Sequence, residues 1–158
     1  MLEIAALLYA LGIVVIDQII KVIAIKHLAP ISTFPIIKDV LHLTYVENRG
    51  AAFGIFQNQK WFLIGVTGIF LVVMLILLIK KKFSSSKLLV FTMASIIAGG
   101  VGNLIDRIFR SFVVDYIDFR LINFAVFNFA DCCVVVGTFF LFFFLLFMSD
   151  SKKTEIGE

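Results

Sequence analysis

The chain has 158 residues, 61% hydrophobic and 16% charged, with a mean hydropathy of +1.09 and a net charge of +3. One soluble core of this size cannot bury that much apolar surface, so the composition excludes an ordinary soluble domain and implies one multi-span membrane domain over 1–158. The small, scattered positive charge, with no Lys/Arg run interleaved with aromatics, also excludes nucleic acid as a partner.

Ile4 to Ile16 carries no charge, a length that fits a signal-peptide core, but only Glu3 precedes it where Lys or Arg would be needed. Apolar character resumes after Asp17-Gln18, which predicts a first span over about 4–25, enough at 1.5 Å per residue for a bilayer core of about 30 Å. Asp17 and Lys21 are four apart and share a helix face. They read either as a structural ion pair at the interface or as one wall of a polar pocket. Residues 27–60 form an outer segment that cannot span, because Pro30 and Pro35 break helix. Val40 to Val46 alternates β-branched, aromatic and polar residues, which predicts a short strand or hairpin at the membrane surface. In Glu47-Asn48-Arg49-Gly50-Ala51-Ala52-Phe53-Gly54, small residues let a backbone approach something closely. Alone, that run also fits an ordinary turn.

A second span is expected over 61–79, with Trp61 at its edge suiting an interface. Lys80, Lys81, Lys82 and Lys87 in the loop 80–87 assign that end to the cytoplasm. The raw count dilutes this, since six of the 14 Lys/Arg fall in the loop and tail and eight elsewhere. The third span, 88–105, has Ala98, Gly99, Gly100 and Gly102 for close helix packing. Asn103 and Arg107 share a face one turn apart, and the bland readings are interhelical glue and snorkelling. An outer segment, 106–124, leads to a fourth span, 125–148, interrupted only by Asn128 and Asp131, and then to a polar tail, 149–158, expected to be disordered. Cys132 and Cys133 match no metal or redox spacing and read as packing residues.

Four spans put both termini on the side of the lysine loop. Asp17, Lys21, Asn48, Asn103, Asp106, Arg107, Asp115, Asp118, Asn128 and Asp131 then all fall at the other face, where separate polar accidents would scatter over both. Four of these are aspartates within 106–131, and a lipid-facing carboxylate costs about 2.5 to 3.5 kcal/mol, so function or a partner must hold them. No Ser-His or Cys-His nucleophile and no His/Cys metal spacing accompanies them. Two aspartates crowded in a poorly solvated place share a proton and titrate as a unit. Such a pair can activate water with one member and protonate a leaving amine with the other, which is aspartyl protease chemistry. Asp131 begins a span, where helix amides favour its charge. Asp106, beside Arg107, reads as structural. Asp115 and Asp118 point to opposite sides if the chain is extended, so only one of them can face Asp131.

The ordered set Asp17-Gln18-x-x-Lys21, Asn48-x-Gly50-Ala51-Ala52-Phe53-Gly54, Gly99-Gly100-x-x-Asn103-x-x-Asp106-Arg107, Val113-Val114-Asp115-Tyr116-Ile117-Asp118 and Phe127-Asn128-x-Ala130-Asp131 resembles bacterial lipoprotein signal peptidase, or signal peptidase II. The resemblance runs from the first span to the fourth. It implies an all-α integral membrane protein with four transmembrane helices and a small extracytoplasmic β-containing cradle. It further implies an aspartic endopeptidase whose catalytic pair is Asp115 and Asp131, cleaving a prolipoprotein before a diacylglyceryl-modified cysteine. Asn48, Asn103, Arg107 and Asn128 would line the pocket or orient the aspartates. Asp17 and Lys21 would support them, and Gly50 and Asp106 stand in the same motifs. No metal or cofactor is implied, the cyclic peptide globomycin is an expected inhibitor, and a monomer in contact with membrane lipid is expected. The site would lie at the extracytoplasmic face of the bacterial inner membrane, with both termini cytoplasmic. A four-span proton-coupled transporter is the main alternative, though transporter carboxylates tend toward the midplane; a scaffold would need the glycines but no aspartate pair.

Overall fold

In the computed structural model, which describes residues 1–51, 54–80 and 86–148, the first apolar run forms α1 (Leu2–Ile23). One wider π turn, Ala24–Leu28, carries the helix on until it stops ahead of Pro30. An antiparallel hairpin follows, β1 (Thr33–Ile37) and β2 (Leu41–Asn48), with Pro35 tolerated because β1 is an edge strand. Then come α2 (Lys60–Ile79), α3 (Lys87–Phe109), β3 (Val113–Phe119), a 3-10 turn at Arg120–Ile122 and α4 (Phe129–Met148). The sheet order is β1-β2-β3, antiparallel throughout. The expected architecture, four helices with a small β cradle, is the one observed.

Among the described residues, four helices are long and apolar enough to cross a membrane: Leu2–Leu28, Lys60–Ile79, Lys87–Phe109 and Phe129–Leu146. α3 is the central one, with 56% of its most apolar stretch buried against 28% or less in the others. Ala6, Ala10 and Ile13 recur at helical spacing on α1 and join Met93, Ala94 and Ile97 of α3 in one core, which Leu71, Met74 and Leu78 of α2 complete. Gly102 brings α1 and α3 close at their polar ends: a Cβ there would lie 2.5 Å from Oδ2 of Asp17. Ala24 and Leu28 of the π turn pack with Val114 and Tyr116, which seats the sheet on the end of α1.

Three boundaries differ from the sequence expectation. The first helix continues to Leu28, so His27 is helical. α3 continues to Phe109, which puts Asp106 and Arg107 on the helix instead of in the connection. α4 starts at Phe129 and not at 125, because Asn128 caps it while Phe127 bridges to Ile117 of β3. Hydropathy cannot see this, since Ala125-Val126-Phe127 is equally apolar as helix or strand. Most of the lysine loop, Lys81 and Lys82 included, Ala52-Phe53 and the tail 149–158 lie outside the described residues.

Candidate active site

The start of α4 is held from three directions. An α-helix leaves its first amides without intrahelical partners, and here each finds one. Phe129 N–H donates to the Tyr116 hydroxyl at 3.1 Å and Ala130 N–H to Asp17 Oδ1 at 3.2 Å. Asp131 N–H donates to Asn128 Oδ1 at 3.0 Å, and Asp131 Oδ2 accepts from Asn128 N–H at 3.1 Å. That reciprocal pair is a capping box. It ties the half-buried Asp131 carboxylate to the positive end of the helix dipole.

Behind it lies a fully buried ionic cluster. Lys21 reaches Asp17 at 3.0 Å, Asp106 at 3.1 Å and Asn103 Oδ1 at 2.8 Å, with all three charged side chains closed to solvent. Asp106 also accepts from Arg110, from Gln18 at 3.3 Å and from Val114 N–H at 3.1 Å. With the partly exposed Arg110 at its edge, two cations balance two anions, and α1, α3 and β3 are joined. An ammonium only donates, so Asn103 must turn its oxygen to Lys21 and its NH2 outward. That NH2 donates to Asp131 Oδ1 at 2.7 Å.

β2 and β3 bring the second carboxylate. A bulge lies between Leu43 and Val46, opposite Tyr116, so that His42 pairs with Asp118 while Val46 pairs with Asp115. Asp115 is 2% exposed. Its Oδ2 accepts from Asn48 Nδ2 at 3.0 Å and its Oδ1 from Asn128 Nδ2 at 2.6 Å. Asn128 also donates to Asn103 Oδ1 at 3.2 Å. One residue therefore bridges the two aspartates, side-chain amide on Asp115 and main-chain amide on Asp131. Burial, then the negative charge of Asp131, push the Asp115 carboxyl up to about 7, against the hydrogen bonds from Asn48 and Asn128 and the charge of Lys21.

Asp115 and Asp131 line one cavity of about 720 Å³ together with Asn48, Asn103 and Arg107. Phe124, Val126 and Phe127 form one wall, and Val134, Val135 and Val136 carry it along α4. Arg107 does not snorkel outward. It is half-buried beside the cavity and donates to Gly50 O at 3.0 Å. Gly50 N–H in turn donates to Asn48 Oδ1 at 2.9 Å, and a Cβ on Gly50 would lie 2.8 Å from Ile55 O, so only glycine fits this turn.

Asp118 stands apart on the other face of the sheet, where it accepts from Thr44 at 2.6 Å and Arg120 at 2.9 Å. Burial alone would raise its pKa, but those bonds and the Arg120 charge hold it below the ordinary carboxylate value. Asp17, Lys21 and Asp106 form the cluster behind the site, while Asn48, Asn103 and Asn128 reach the two carboxylates directly. Sequence reasoning did not single out Arg110, whose signal was its i,i+4 spacing from Asp106, and quoted Tyr116 within the Val113–Asp118 motif without giving it a role.

Residues 9–147 match the family model described as signal peptidase (SPase) II. The lipoprotein signal peptidase of Clostridioides difficile is 46% identical over 150 residues, covering 93% of this chain and 100% of that protein. That of Caldanaerobacter subterraneus subsp. tengcongensis is 46% identical over 138 residues, covering 85% and 91%. A solved bacterial membrane enzyme superposes with a TM-score of 0.78 at 30% identity, over 90% of this chain and 92% of that one.

Proposed function

The chain belongs to the signal peptidase II family, aspartic hydrolases of the membrane that remove signal peptides from prolipoproteins, and from that premise we propose that Asp115 and Asp131 are its catalytic pair. The observation that carries this is Asn128, whose two amides hold both carboxylates on one cavity. Asp131, at a helix N-terminus and receiving a hydrogen bond from the Lys21-anchored Asn103, is the member assigned the role of base. Asp115, buried beside it and with its carboxyl pushed up to about 7, is the member that binds a proton more readily and is assigned the role of acid.

The chemistry follows from that asymmetry. Asp131 takes a proton from a water lying between the pair, and the hydroxide adds to the scissile carbonyl carbon. Asp115 donates its hydrogen bond to the carbonyl oxygen as charge develops there. The C–N bond then breaks, and the proton held by Asp131 passes to the leaving amine. Arg107, fixed by Gly50, faces the substrate main chain from the cavity wall.

The substrate proposed is a prolipoprotein cut before a diacylglyceryl-modified cysteine. What supports this is a cavity whose polar floor adjoins an apolar wall along α4, so that a peptide bond and acyl chains are accommodated together. Globomycin, a cyclic peptide, would compete for the same cavity. The protein works as a monomer in the bacterial inner membrane, with both termini cytoplasmic and the site at the extracytoplasmic face. The even number of spans and the lysines at 80–87 support this orientation. With the family established, proton-coupled transport has no observation in its favour.

The test is cleavage of a diacylglyceryl-modified prolipoprotein by purified protein. Asp115→Asn and Asp131→Asn should each lose about 10²- to 10⁴-fold in rate, the range for a lost general acid or base. Asp118→Asn should stay within severalfold of wild type. If Asp118→Asn is the inactive variant and Asp115→Asn cleaves, the assigned pair is wrong.

A further inference from the structure

The bulge that aims Asp115 is tied down by side chains on the opposite face of the sheet. At the bulge two residues of β2, Thr44 and Tyr45, stand opposite one of β3, Tyr116. A bulge leaves a residue out of the ladder, so main-chain pairing says least about register there. Here the register decides the site. Val46 pairs with Asp115, and Asn48 donates to it at 3.0 Å, because the extra residue lies between Leu43 and Val46. Tyr116, with no single residue opposite, donates its N–H to Phe127 O at 3.0 Å, immediately before Asn128.

Thr44 is the bulge residue whose side chain reaches both neighbouring strands. A second irregularity, between Pro35 and Ile37 of β1, lies nearer the hairpin turn and leaves Thr33 opposite Thr44, with the two hydroxyl oxygens 3.0 Å apart. On the β3 side the Thr44 hydroxyl donates to Asp118 Oδ2 at 2.6 Å. Arg120 closes the node, donating from Nε to the same oxygen at 2.9 Å and from Nη2 to Thr33 at 3.1 Å and Thr44 at 3.4 Å. Donor counting gives each bond its direction. A hydroxyl has one proton, and Thr44 directs its own to Asp118, so it accepts from Thr33. His42 Nε2 accepts from Asp39 N–H at 3.3 Å, so a neutral His42 carries its proton on Nδ1 and donates to Thr33 at 3.4 Å. The chain from His42 through Thr33 and Thr44 to Asp118 thus runs one way and ends on a carboxylate, where hydrogen bonds are strongest. His42 and Asp118 are 6% and 9% exposed, so water competes little for them.

We infer that Thr44 is a positioning residue: its hydroxyl, fixed between Thr33 and Asp118, pins the β2 bulge and so sets Asp115 and Asn128 against Asp131. Without the pin the extra residue is free to migrate along β2, and a shift of one position takes Val46 and Asn48 away from Asp115. Thr44 does not line the cavity, so its loss acts through the bulge and falls on turnover, leaving the apolar wall of α4 to bind substrate as before. The effect on cleavage rests on the catalytic reading above; the pinning of the bulge does not.

The test uses full-length protein in lipid nanodiscs and reads both cleavage of a diacylglyceryl-modified prolipoprotein and hydrogen exchange over 43–48 and 113–117. Thr44→Val keeps the branched shape and loses the hydroxyl. Its kcat should fall toward about 10²-fold, the cost of displacing a reacting group by about 1 Å, with KM unchanged. Exchange in both segments should quicken, and Thr44→Ser should restore kcat and slow exchange. Asp118→Leu removes the acceptor and should match Thr44→Val, whereas Asp118→Asn keeps an oxygen for Thr44 and Arg120. Because both break one link, the double variant Thr44→Val/Asp118→Leu should be no slower than either single variant. Arg120→Met, at a side chain 41% exposed, loosens the same node should Thr44→Val fail to fold, and lowers kcat in the same direction. Unchanged exchange over 43–48 overturns the inference whatever the rate does. So does a rise in KM at constant kcat, which would make Thr44 a substrate contact, and so do losses that multiply in the double variant. Faster exchange with normal kcat, while Asp115→Asn is inactive, reduces the node to hairpin stability and overturns it as well. If Asp115→Asn itself cleaves normally, the catalytic reading has failed, and exchange alone decides whether Thr44 holds the bulge.

Discussion

Replacing Asp115 by Asn should change stability in a pH-dependent way that no simple loss of contacts can imitate. Free in the unfolded chain, the carboxyl titrates near 3.8; in place, it titrates at about 7. Below the first value both states are protonated and burial costs nothing. Above the second both are ionised, and the folded state alone bears an anion crowded by Asp131 and closed to water. At about 1.4 kcal/mol per tenfold change in proton affinity, that penalty approaches about 4 kcal/mol at high pH, of which roughly 2 to 3 kcal/mol accrues between pH 5 and pH 8. Asn carries no such penalty. It has its own cost, because Asn48 and Asn128 both donate to this position and one oxygen cannot serve both in the original geometry, about 1 to 3 kcal/mol at any pH. The variant should therefore lie within about 1 kcal/mol of wild type at pH 5, where roughly 1 to 2 kcal/mol of the penalty is already present, and be more stable at pH 8. Thermal unfolding in detergent, followed by circular dichroism, should show its melting temperature gaining about 5 to 10 °C on wild type across that interval. Asp118→Asn should behave oppositely, because a carboxyl held below its ordinary value stabilises at neutral pH and loses that contribution in acid. Parallel curves for wild type and Asp115→Asn would refute the reasoning, since they would mean that Asp115 bears no unfavourable charge.

Cleavage by wild type should fall as pH rises through about 7, where Asp115 gives up the proton it donates; a rate that stays flat to pH 9 would remove it from the role of acid. Asn128→Ala should lose about 1 kcal/mol as a cap and far more in rate, because both carboxylates lose a fixed partner; unfolding and cleavage measured on one preparation separate the two. Lys21→Met leaves Asp17 and Asp106 facing each other without their shared cation and should cost about 3 to 5 kcal/mol in thermal unfolding, the range for breaking a buried ion pair. Gly102→Ala should cost about 1 to 3 kcal/mol by overpacking against Asp17, whereas Gly12→Ala, with open space at its Cβ, should be neutral or stabilising in the same melt.

The apolar runs made the spans legible because bilayer thickness sets a length that few other structures demand. Their ends were less so. Nothing in the hydropathy of Ala125-Val126-Phe127 distinguishes helix from strand, and the boundary is decided by the Asn128 cap and by the bridge from Phe127 to Ile117. The polar residues were legible as a one-sided cluster, but the choice between Asp115 and Asp118 was not. It depends on strand phase, and the bulge between Leu43 and Val46 fixes that phase through pairing of residues about 70 positions apart. Arg107 looked equally suited to snorkelling, and only the Gly50 carbonyl, 57 residues away, shows why it turns inward. Local spacing carries i,i+4 pairs such as Asp17 and Lys21; it carries nothing about which strand meets which helix.

The buried ionic cluster is better understood through orientation than through stability. A buried pair rarely gains more from its attraction than it loses in hydration, and apolar residues of the same shape often do as well. Yet apolar replacements here could not do what Lys21 does to Asn103. With a hydrophobic residue at 21, only the longer bond from Asn128, at 3.2 Å, would hold the Asn103 oxygen against a flip that sets an acceptor against the Asp131 carboxylate. With the ammonium at 2.8 Å from that oxygen, only one orientation satisfies both neighbours, and Asp131 always receives a donor. Asp17 acts in the same sense, accepting from Ala130 N–H and so fixing the first turn of α4 against α1. The charges behind the site are thus spent on its geometry, which explains why a membrane protein retains four of them where lipid and packing both favour none.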